Sequence, residues 1–161
     1  MNSAHTVHLT PTHKQTGSLM KKQKLPVITQ SVRDLLIQSA REAAESAYCP
    51  YSHYPVGAAV LTLDGQLYTG CNVENISYGL SMCAERTALF KAVSGGCRAF
   101  VAMAIVGGDK RPSAPCGACL QVLAELCPHE TPVFIARLKK GGRVTATTLG
   151  ALLPMSFASL A

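Results

Sequence analysis

The chain has 161 residues, of which 48% are hydrophobic and 15% are charged. This length is enough for one domain with a sizeable core, and this composition excludes intrinsic disorder for most of the chain. Lysine and arginine outnumber aspartate and glutamate by 15 to 9, which gives a net charge of +6. Four lysines and no acid lie in residues 1–30, so the remaining +2 gives little support for nucleic-acid binding. No apolar run approaches the roughly 18 residues of a membrane span, which excludes a transmembrane protein.

The first 28 residues are polar and lack periodicity, which predicts a disordered basic extension ahead of a single folded domain over residues 29–161. The extension is either a solvated tail or the product of an upstream start codon, with Met20 as the alternative start. The chain begins without an apolar secretory segment, and its seven cysteines are an odd number. We therefore expect reduced thiols and a cytoplasmic protein.

The first predicted helix opens at Ser31, because apolar residues recur at helical spacing as far as Ala47 and Asp34 completes a capping box. A loop over residues 49–54 separates it from two strands that are joined by the Asp64-Gly65 turn. The predicted elements then run as strands over 56–63 and 66–73, a loop over 74–82, a helix over 83–93, a strand over 100–106, a loop over 107–114, a helix over 116–126, strands over 133–138 and 143–148, and a short helical piece within 152–161. This order predicts one layered α/β domain.

Two short cysteine motifs each follow a predicted loop and open a predicted helix: Cys83-Ala84-Glu85 and Pro115-Cys116-x-x-Cys119. Unpaired backbone N–H groups and the positive end of the helix dipole lower the pKa of thiols at such positions. Cys116 and Cys119 lie within one helical turn and can share a metal ion, to which Cys83 would add a third ligand. Three protein ligands leave a fourth position open, as in catalytic zinc sites, and Glu85 could move a proton there.

A Cys-x-x-Cys pair alone is also typical of redox pairs and of structural zinc sites. Cys-x-Glu followed about 30 residues later by Pro-Cys-x-x-Cys is much more specific, because it is the signature of zinc-dependent nucleobase deaminases. Residues 47–52, 55–59 and 72–75 carry further motifs of the same group in the same order. Residues 30–161 therefore resemble the short, homotetrameric cytidine deaminases.

The resemblance implies a three-layer α/β/α sandwich with a central five-stranded mixed sheet. It also implies hydrolytic deamination of cytidine and 2′-deoxycytidine to the uridines, with release of ammonia. One Zn²⁺ per subunit would be held by Cys83, Cys116 and Cys119. Glu85 would take a proton from the zinc-bound water, deliver it to N3 of the base and later protonate the leaving amine.

Substrate-binding residues also follow from the resemblance. Asn72 and Glu74 match the family's ribose-binding pair, and their amide and carboxylate suit hydroxyl groups. Tyr54 stands where the family usually has phenylalanine beside the sugar, and the backbone of Ala84 would contact the pyrimidine carbonyl. Phe157 belongs to a Leu-Pro-x-x-Phe motif whose phenylalanine stacks on the base in a neighbouring subunit, with simple core packing as the equal alternative.

One departure from the family pattern concerns charge at the metal. Three thiolates on Zn²⁺ leave a net charge of −1, which the family commonly offsets with two arginines near the sulfurs. Arg86 holds the first of these places, whereas Leu120 occupies the second. Arg86 is therefore expected to carry most of this charge tuning, and Leu120→Arg to restore part of what its loss removes. The alternative is that Leu120 merely packs a helix face while another cation fills the gap.

Three other functions compete with nucleoside deamination. A deaminase of another cytosine nucleoside, such as a nucleoside antibiotic, would use the same zinc site, although the Asn72 and Glu74 pair favours an ordinary ribose. Action on polynucleotides would need a basic surface that the domain lacks. A non-catalytic zinc module that binds RNA through the basic extension leaves Glu85 without a purpose.

Overall fold

The computed structural model describes residues 25–109, 112 and 114–157. The prediction of a disordered extension therefore lies outside the described residues up to position 24, as do parts of the loop over 107–114 and the last four residues of the tail. The helices and strands are α1 (Gln30–Ala44), β1 (Val56–Thr62), β2 (Leu67–Cys71), α2 (Ala84–Ser94), β3 (Phe100–Gly107), α3 (Gly117–Leu126), β4 (Pro132–Ala136), β5 (Thr145–Thr148) and α4 (Leu149–Leu152), with a short 3₁₀ turn at Tyr78–Leu80.

The five strands form one mixed sheet in the order β2-β1-β3-β4-β5. Strand β1 is antiparallel to both β2 and β3, β3 is parallel to β4, and β5 is antiparallel to β4. The predicted turn at Asp64-Gly65 is confirmed, with Gly65 at a φ of 82° and Leu61 paired with Leu67. Because parallel strands need a crossover, α3 passes from the end of β3 to the start of β4 and brings its own first turn to that edge of the sheet.

Helices cover both faces of the sheet, which confirms the predicted three-layer α/β/α fold. Strand β3 is buried along its whole length, and its side chains alternate between two apolar clusters. On one face Ala102 and Ala104 pack with Leu36 of α1, and on the other Met103 packs with Leu89 and Leu123 of α2 and α3. The helices that carry the cysteine motifs thus lie on one face of the sheet.

Two glycines let helices approach the sheet closely. A Cβ on Gly57 of β1 would lie 1.9 Å from the carbonyl oxygen of Ala40 in α1. A Cβ on Gly70 of β2 would lie 2.4 Å from the backbone nitrogen of Ala88 in α2. No larger residue fits at either position without moving a helix backbone, so Gly70 helps to fix where α2 begins.

Several predicted element ends were wrong. The first helix begins at Gln30 rather than after Ser31, because the Thr29 side chain accepts the Val32 N–H and caps it, and the capping box with Asp34 does not form. It ends at Ala44 rather than Ala47. The last helix lies at Leu149–Leu152, where the Thr148 hydroxyl accepts the Ala151 N–H, instead of within residues 152–161.

Ile28 is the last residue of the predicted extension. Ile28 is partly buried and packs against the cluster under α1. None of the helices in the described part of the chain is long and apolar enough to cross a membrane.

Candidate active site

Two helix N-termini bring the three predicted cysteines together. Cys83 is the N-cap of α2, Cys116 is the N-cap of α3, and Cys119 lies in the first turn of α3. Both caps have extended backbone, and neither sulfur makes a capping hydrogen bond to the backbone of its own helix, so the sulfurs are available to a metal ion. The N–H groups of each first turn have no partner inside the helix and place partial positive charge beside the sulfurs.

The sulfur geometry matches a tetrahedral metal ion. The Cys83 and Cys116 sulfurs are 3.9 Å apart, the Cys116 and Cys119 sulfurs are 3.5 Å apart, and all three lie within 4.8 Å of one another. A zinc ion with Zn–S bonds of about 2.3 Å separates two sulfur ligands by about 3.8 Å. Cys119 is fully buried whereas Cys116 is exposed, so one side of the cluster faces solvent. Donor type, number and spacing therefore fit one zinc ion with an open fourth position.

The surroundings of Cys83 favour its thiolate form. The pKa of the Cys83 thiol is lowered to about 5, because the Cys119 thiol, the Arg86 guanidinium and the Cys116 thiol hydrogen-bond to its sulfur. The pKa of Cys119 is raised, first by its hydrogen bond to Cys83 and then by burial. Within the hydrogen-bonded pair of Cys83 and Cys119, the negative charge is therefore favoured on Cys83.

Glu85 lies in the first turn of α2, is only 4% exposed and hydrogen-bonds with the Cys119 thiol. Burial raises the pKa of its carboxyl group, and the neighbouring Cys83 sulfur adds to this. A carboxyl group that is positioned in a site in this way can accept a proton and return it. The structure thus brings the predicted acid and the predicted ligands into one site.

Arg86 is the cation beside the cluster. Its Nη2 lies 3.6 Å from the Cys83 sulfur, and Cys119 also accepts a hydrogen bond from the guanidinium. Both sulfurs raise the pKa of Arg86. Leu120 is 6% exposed and packs in the core between the sheet and the helices. This supports the simpler interpretation of Leu120, that it packs a helix face.

Asn72 and Glu74 organise the loop over residues 49–56. The Asn72 amide accepts the Val56 N–H at 2.9 Å and donates to the Tyr54 carbonyl at 3.0 Å. The Glu74 carboxylate accepts the N–H groups of Tyr51 at 3.0 Å and Ser52 at 3.2 Å. The Ser52 hydroxyl and these backbone groups lower the pKa of Glu74.

The remaining predicted substrate residues are placed as follows. Tyr54 is half-buried in the loop that Asn72 holds. Ala84 is the first residue of α2, and its N–H is among those without a partner in the helix. Phe157 is 65% exposed and is attached through its backbone to Gln121 of α3. Neither Gln121 nor Ser52 was singled out from the sequence, because these contacts join segments that no local pattern connects.

A scan against protein-family models matches residues 30–135 to the cytidine and deoxycytidylate deaminase zinc-binding region. The match spans more than half of the chain. The chain belongs to this deaminase family. Together with the three-thiol cluster, membership of a zinc-binding family confirms the predicted cofactor, zinc.

Curated relatives of this deaminase include the cytidine deaminase of Halalkalibacterium halodurans, 54% identical over 125 residues that cover 78% of this chain and 93% of the relative. That of Sporosarcina psychrophila is 52% identical over 122 residues, covering 76% and 88%. The crystal structure of cytidine deaminase from Burkholderia pseudomallei superposes with a TM-score of 0.73 at 50% identity, covering 77% of this chain and 98% of that one.

Proposed function

We propose that this protein catalyses zinc-dependent hydrolytic deamination of cytidine and 2′-deoxycytidine to uridine and 2′-deoxyuridine, with release of ammonia. The observation that carries the proposal is the buried Glu85 carboxyl group, which interacts with Cys83 and Cys119 of a three-thiol cluster whose spacing suits zinc. The relatives at about 50% identity, named cytidine deaminases, support the same substrate.

Cys83, Cys116 and Cys119 would hold the metal. Bound zinc supplies Lewis acidity and a water molecule of lowered pKa for attack at C4 of the base. The Arg86 guanidinium hydrogen-bonds to the sulfurs of Cys83 and Cys119. Its positive charge would offset part of the negative charge of three thiolates.

Glu85 moves the protons. Its carboxylate accepts a proton from the attacking water and passes it to N3 of the pyrimidine. The C4–N3 double bond becomes a single bond as the C4–O bond forms. The carboxylate then accepts the hydroxyl proton and delivers it to the exocyclic amine, which leaves as ammonia while the C4 carbonyl forms. Glu85 therefore ends each cycle in its starting protonation state, and the only net reactant besides the nucleoside is water.

The sugar would be recognised by Asn72 and Glu74. An amide has two donor hydrogens and two acceptor lone pairs, and a carboxylate has about four lone-pair positions, so the contacts to the loop leave capacity for ribose hydroxyls. The Asn72 hydrogen bond to the Tyr54 carbonyl oxygen would hold Tyr54 beside the sugar. The N–H of Ala84 is suited to the pyrimidine carbonyl because no helical carbonyl competes for it.

The direct test is ultraviolet monitoring of cytidine and 2′-deoxycytidine with purified protein, together with zinc measured on the same sample. We expect loss of the cytosine absorption, formation of ammonia and one zinc per chain. A zinc-loaded protein that leaves both nucleosides unchanged would refute the proposal.

An antibiotic cytosine nucleoside is the second candidate substrate. The chain is 29% identical over 136 residues to the blasticidin-S deaminase of Bacillus cereus, well below its identity to the cytidine deaminases. Including such a nucleoside in the assay separates the two candidates.

A non-catalytic RNA-binding module is disfavoured, because burial of the Glu85 carboxyl group has a cost that binding RNA would not offset.

We also propose a homotetramer in which Phe157 enters the site of a neighbouring subunit. Apolar side chains near the site and on the tail are strongly exposed in the single chain: Ile76 at 80%, Tyr78 at 77%, Leu80 at 70%, Met155 at 91% and Phe157 at 65%. A second copy of the chain would cover them. Light scattering of the purified protein is expected to give a tetramer mass, and a fully active monomer would contradict this.

Seven cysteines without a disulfide favour a reducing compartment, and we propose the cytoplasm.

We propose that the catalytic domain follows a basic extension that catalysis does not need. Because Ile28 packs on the domain, a truncation that tests this should end at residue 24 rather than at residue 28.

Arg86→Gln is expected to lower kcat about 10- to 100-fold, as is usual when a group that supports a metal ligand is removed. Arg86→Lys keeps the charge and should retain part of the activity. Lys91→Gln, which removes an exposed cation from the same helix, is the matched control and should behave as wild type. Unchanged turnover of Arg86→Gln would show that the thiolate charge is balanced elsewhere.

The structure changes the expectation for Leu120→Arg. Leu120 is a core residue, so arginine there removes apolar packing and places a charge against the sheet. We therefore expect this substitution to lower stability rather than to rescue Arg86→Gln.

A further inference from the structure

The tail after α4 is fixed to α3 by one side chain. Gln121 Nε2 donates to the Phe157 carbonyl oxygen at 2.8 Å, and the Phe157 N–H donates to Gln121 Oε1 at 3.1 Å. Both functional atoms of the amide are thus used by the backbone of a single residue 36 positions away. Two hydrogen bonds to one residue fix the orientation of its backbone as well as its position.

The rest of the tail has few other attachments. Helix α4 ends at Leu152, and Leu153 makes the last backbone hydrogen bond to it. In the described segment 154–157, the other side-chain attachment is between Ser156 Oγ and His129 Nε2 at 3.0 Å. Without Gln121, the backbone at Phe157 would be held only through the hydrogen bond between the neighbouring Ser156 and His129.

Phe157 is an exposed residue, at 65%, even though its backbone N–H and carbonyl groups are both hydrogen-bonded. A tail phenylalanine that served only the core of its own chain would bury its ring. A fixed backbone with an exposed aromatic ring is instead what presenting that ring to another molecule requires, because ordering it beforehand lowers the entropy cost of contact.

We propose that Gln121 is a positioning residue that holds Phe157 where its ring meets the nucleoside base in a neighbouring subunit. This inference rests on the proposed function and on the proposed role of Phe157. Gln121 lies two residues after Cys119 on α3, so the helix that carries two metal-binding thiols also sets the position of the ring.

The test uses the full-length zinc-loaded enzyme and a double-mutant cycle. Gln121→Met keeps side-chain length and helix propensity but removes the donor and the acceptor. We expect it to raise KM for cytidine about tenfold with kcat within about threefold, because a base-stacking contact contributes similarly to the ground state and the transition state. Phe157→Ala should raise KM at least as much, and Gln121→Met should add nothing in the Phe157→Ala background.

Gln38→Met is the matched control, because Gln38 also lies on a helix and donates a hydrogen bond, but to Glu42 of its own helix. It should leave KM unchanged. A KM of Gln121→Met equal to wild type, or effects of Gln121→Met and Phe157→Ala that multiply, would overturn the inference.

A second readout does not depend on activity. Amide hydrogen exchange at Phe157 is expected to be at least about tenfold faster in Gln121→Met than in wild type, with the zinc content unchanged. Equal exchange rates would show that Gln121 does not hold the tail.

If Gln121→Met fails to fold, Gln121→Glu keeps the acceptor while losing the donor, and the same comparisons apply. A wild-type enzyme that does not deaminate cytidine refutes the proposed function, whereas the exchange measurement still decides whether Gln121 holds Phe157.

Discussion

Glu85→Gln is expected to reduce kcat by about 10⁴-fold, the upper end of the usual 10²- to 10⁴-fold contribution of a general acid–base group. The effect is large because one carboxyl group makes every proton transfer of the cycle, and Glu85 is the carboxyl group whose charge acts on the Cys119 thiol. Glutamine has nearly the same size and shape, so the buried position stays filled. Zinc content and melting temperature should therefore stay close to wild type.

Glu125→Gln on the exposed surface of α3 is the control and should keep full activity. Steady-state kinetics, a zinc assay and thermal unfolding on the same preparations separate loss of chemistry from loss of fold or metal. Activity of Glu85→Gln within tenfold of wild type would mean that another group moves the protons.

The parts of the fold that were predicted correctly depend on local patterns. Asp64-Gly65 determines a tight turn by its own backbone preferences, and the continuous apolar run that became β3 requires burial on both faces. The three cysteines and Glu85 could be assigned because ligand chemistry restricts both residue type and spacing. Such signals do not depend on what the rest of the chain does.

The parts that were missed depend on distant partners or on competition between neighbours. Thr29 and Ser31 are both acceptable helix caps by residue type, and residue type alone does not distinguish Thr29, which caps the helix, from Ser31. The pairing of Gln121 with Phe157 joins two segments that have no shared local pattern. The core position of Leu120 also depends on tertiary packing, because a helix that opens at a metal site has both an exposed and a buried side.

Cys116→Ser is expected to remove most of the zinc and nearly all turnover while leaving α3 intact. Cys116 supplies one of three sulfurs, and a serine hydroxyl is a much poorer ligand for zinc than a thiolate. Serine should not weaken the start of the helix, because the Cys116 side chain makes no capping hydrogen bond and serine is among the preferred N-cap residues.

This substitution therefore separates metal binding from helix stability. Less than about a tenth of the wild-type zinc should remain at neutral pH, because removing one thiolate weakens a site whose affinity depends on deprotonated sulfur ligands. Circular dichroism should show an unchanged helix content. Cys71→Ser is the matched control, because Cys71 lies outside the cluster and donates to the Ser46 carbonyl oxygen, a bond that a hydroxyl can keep. Full zinc retention in Cys116→Ser, with the control unchanged, would remove Cys116 from the ligand set and require a different third ligand beside Cys83 and Cys119.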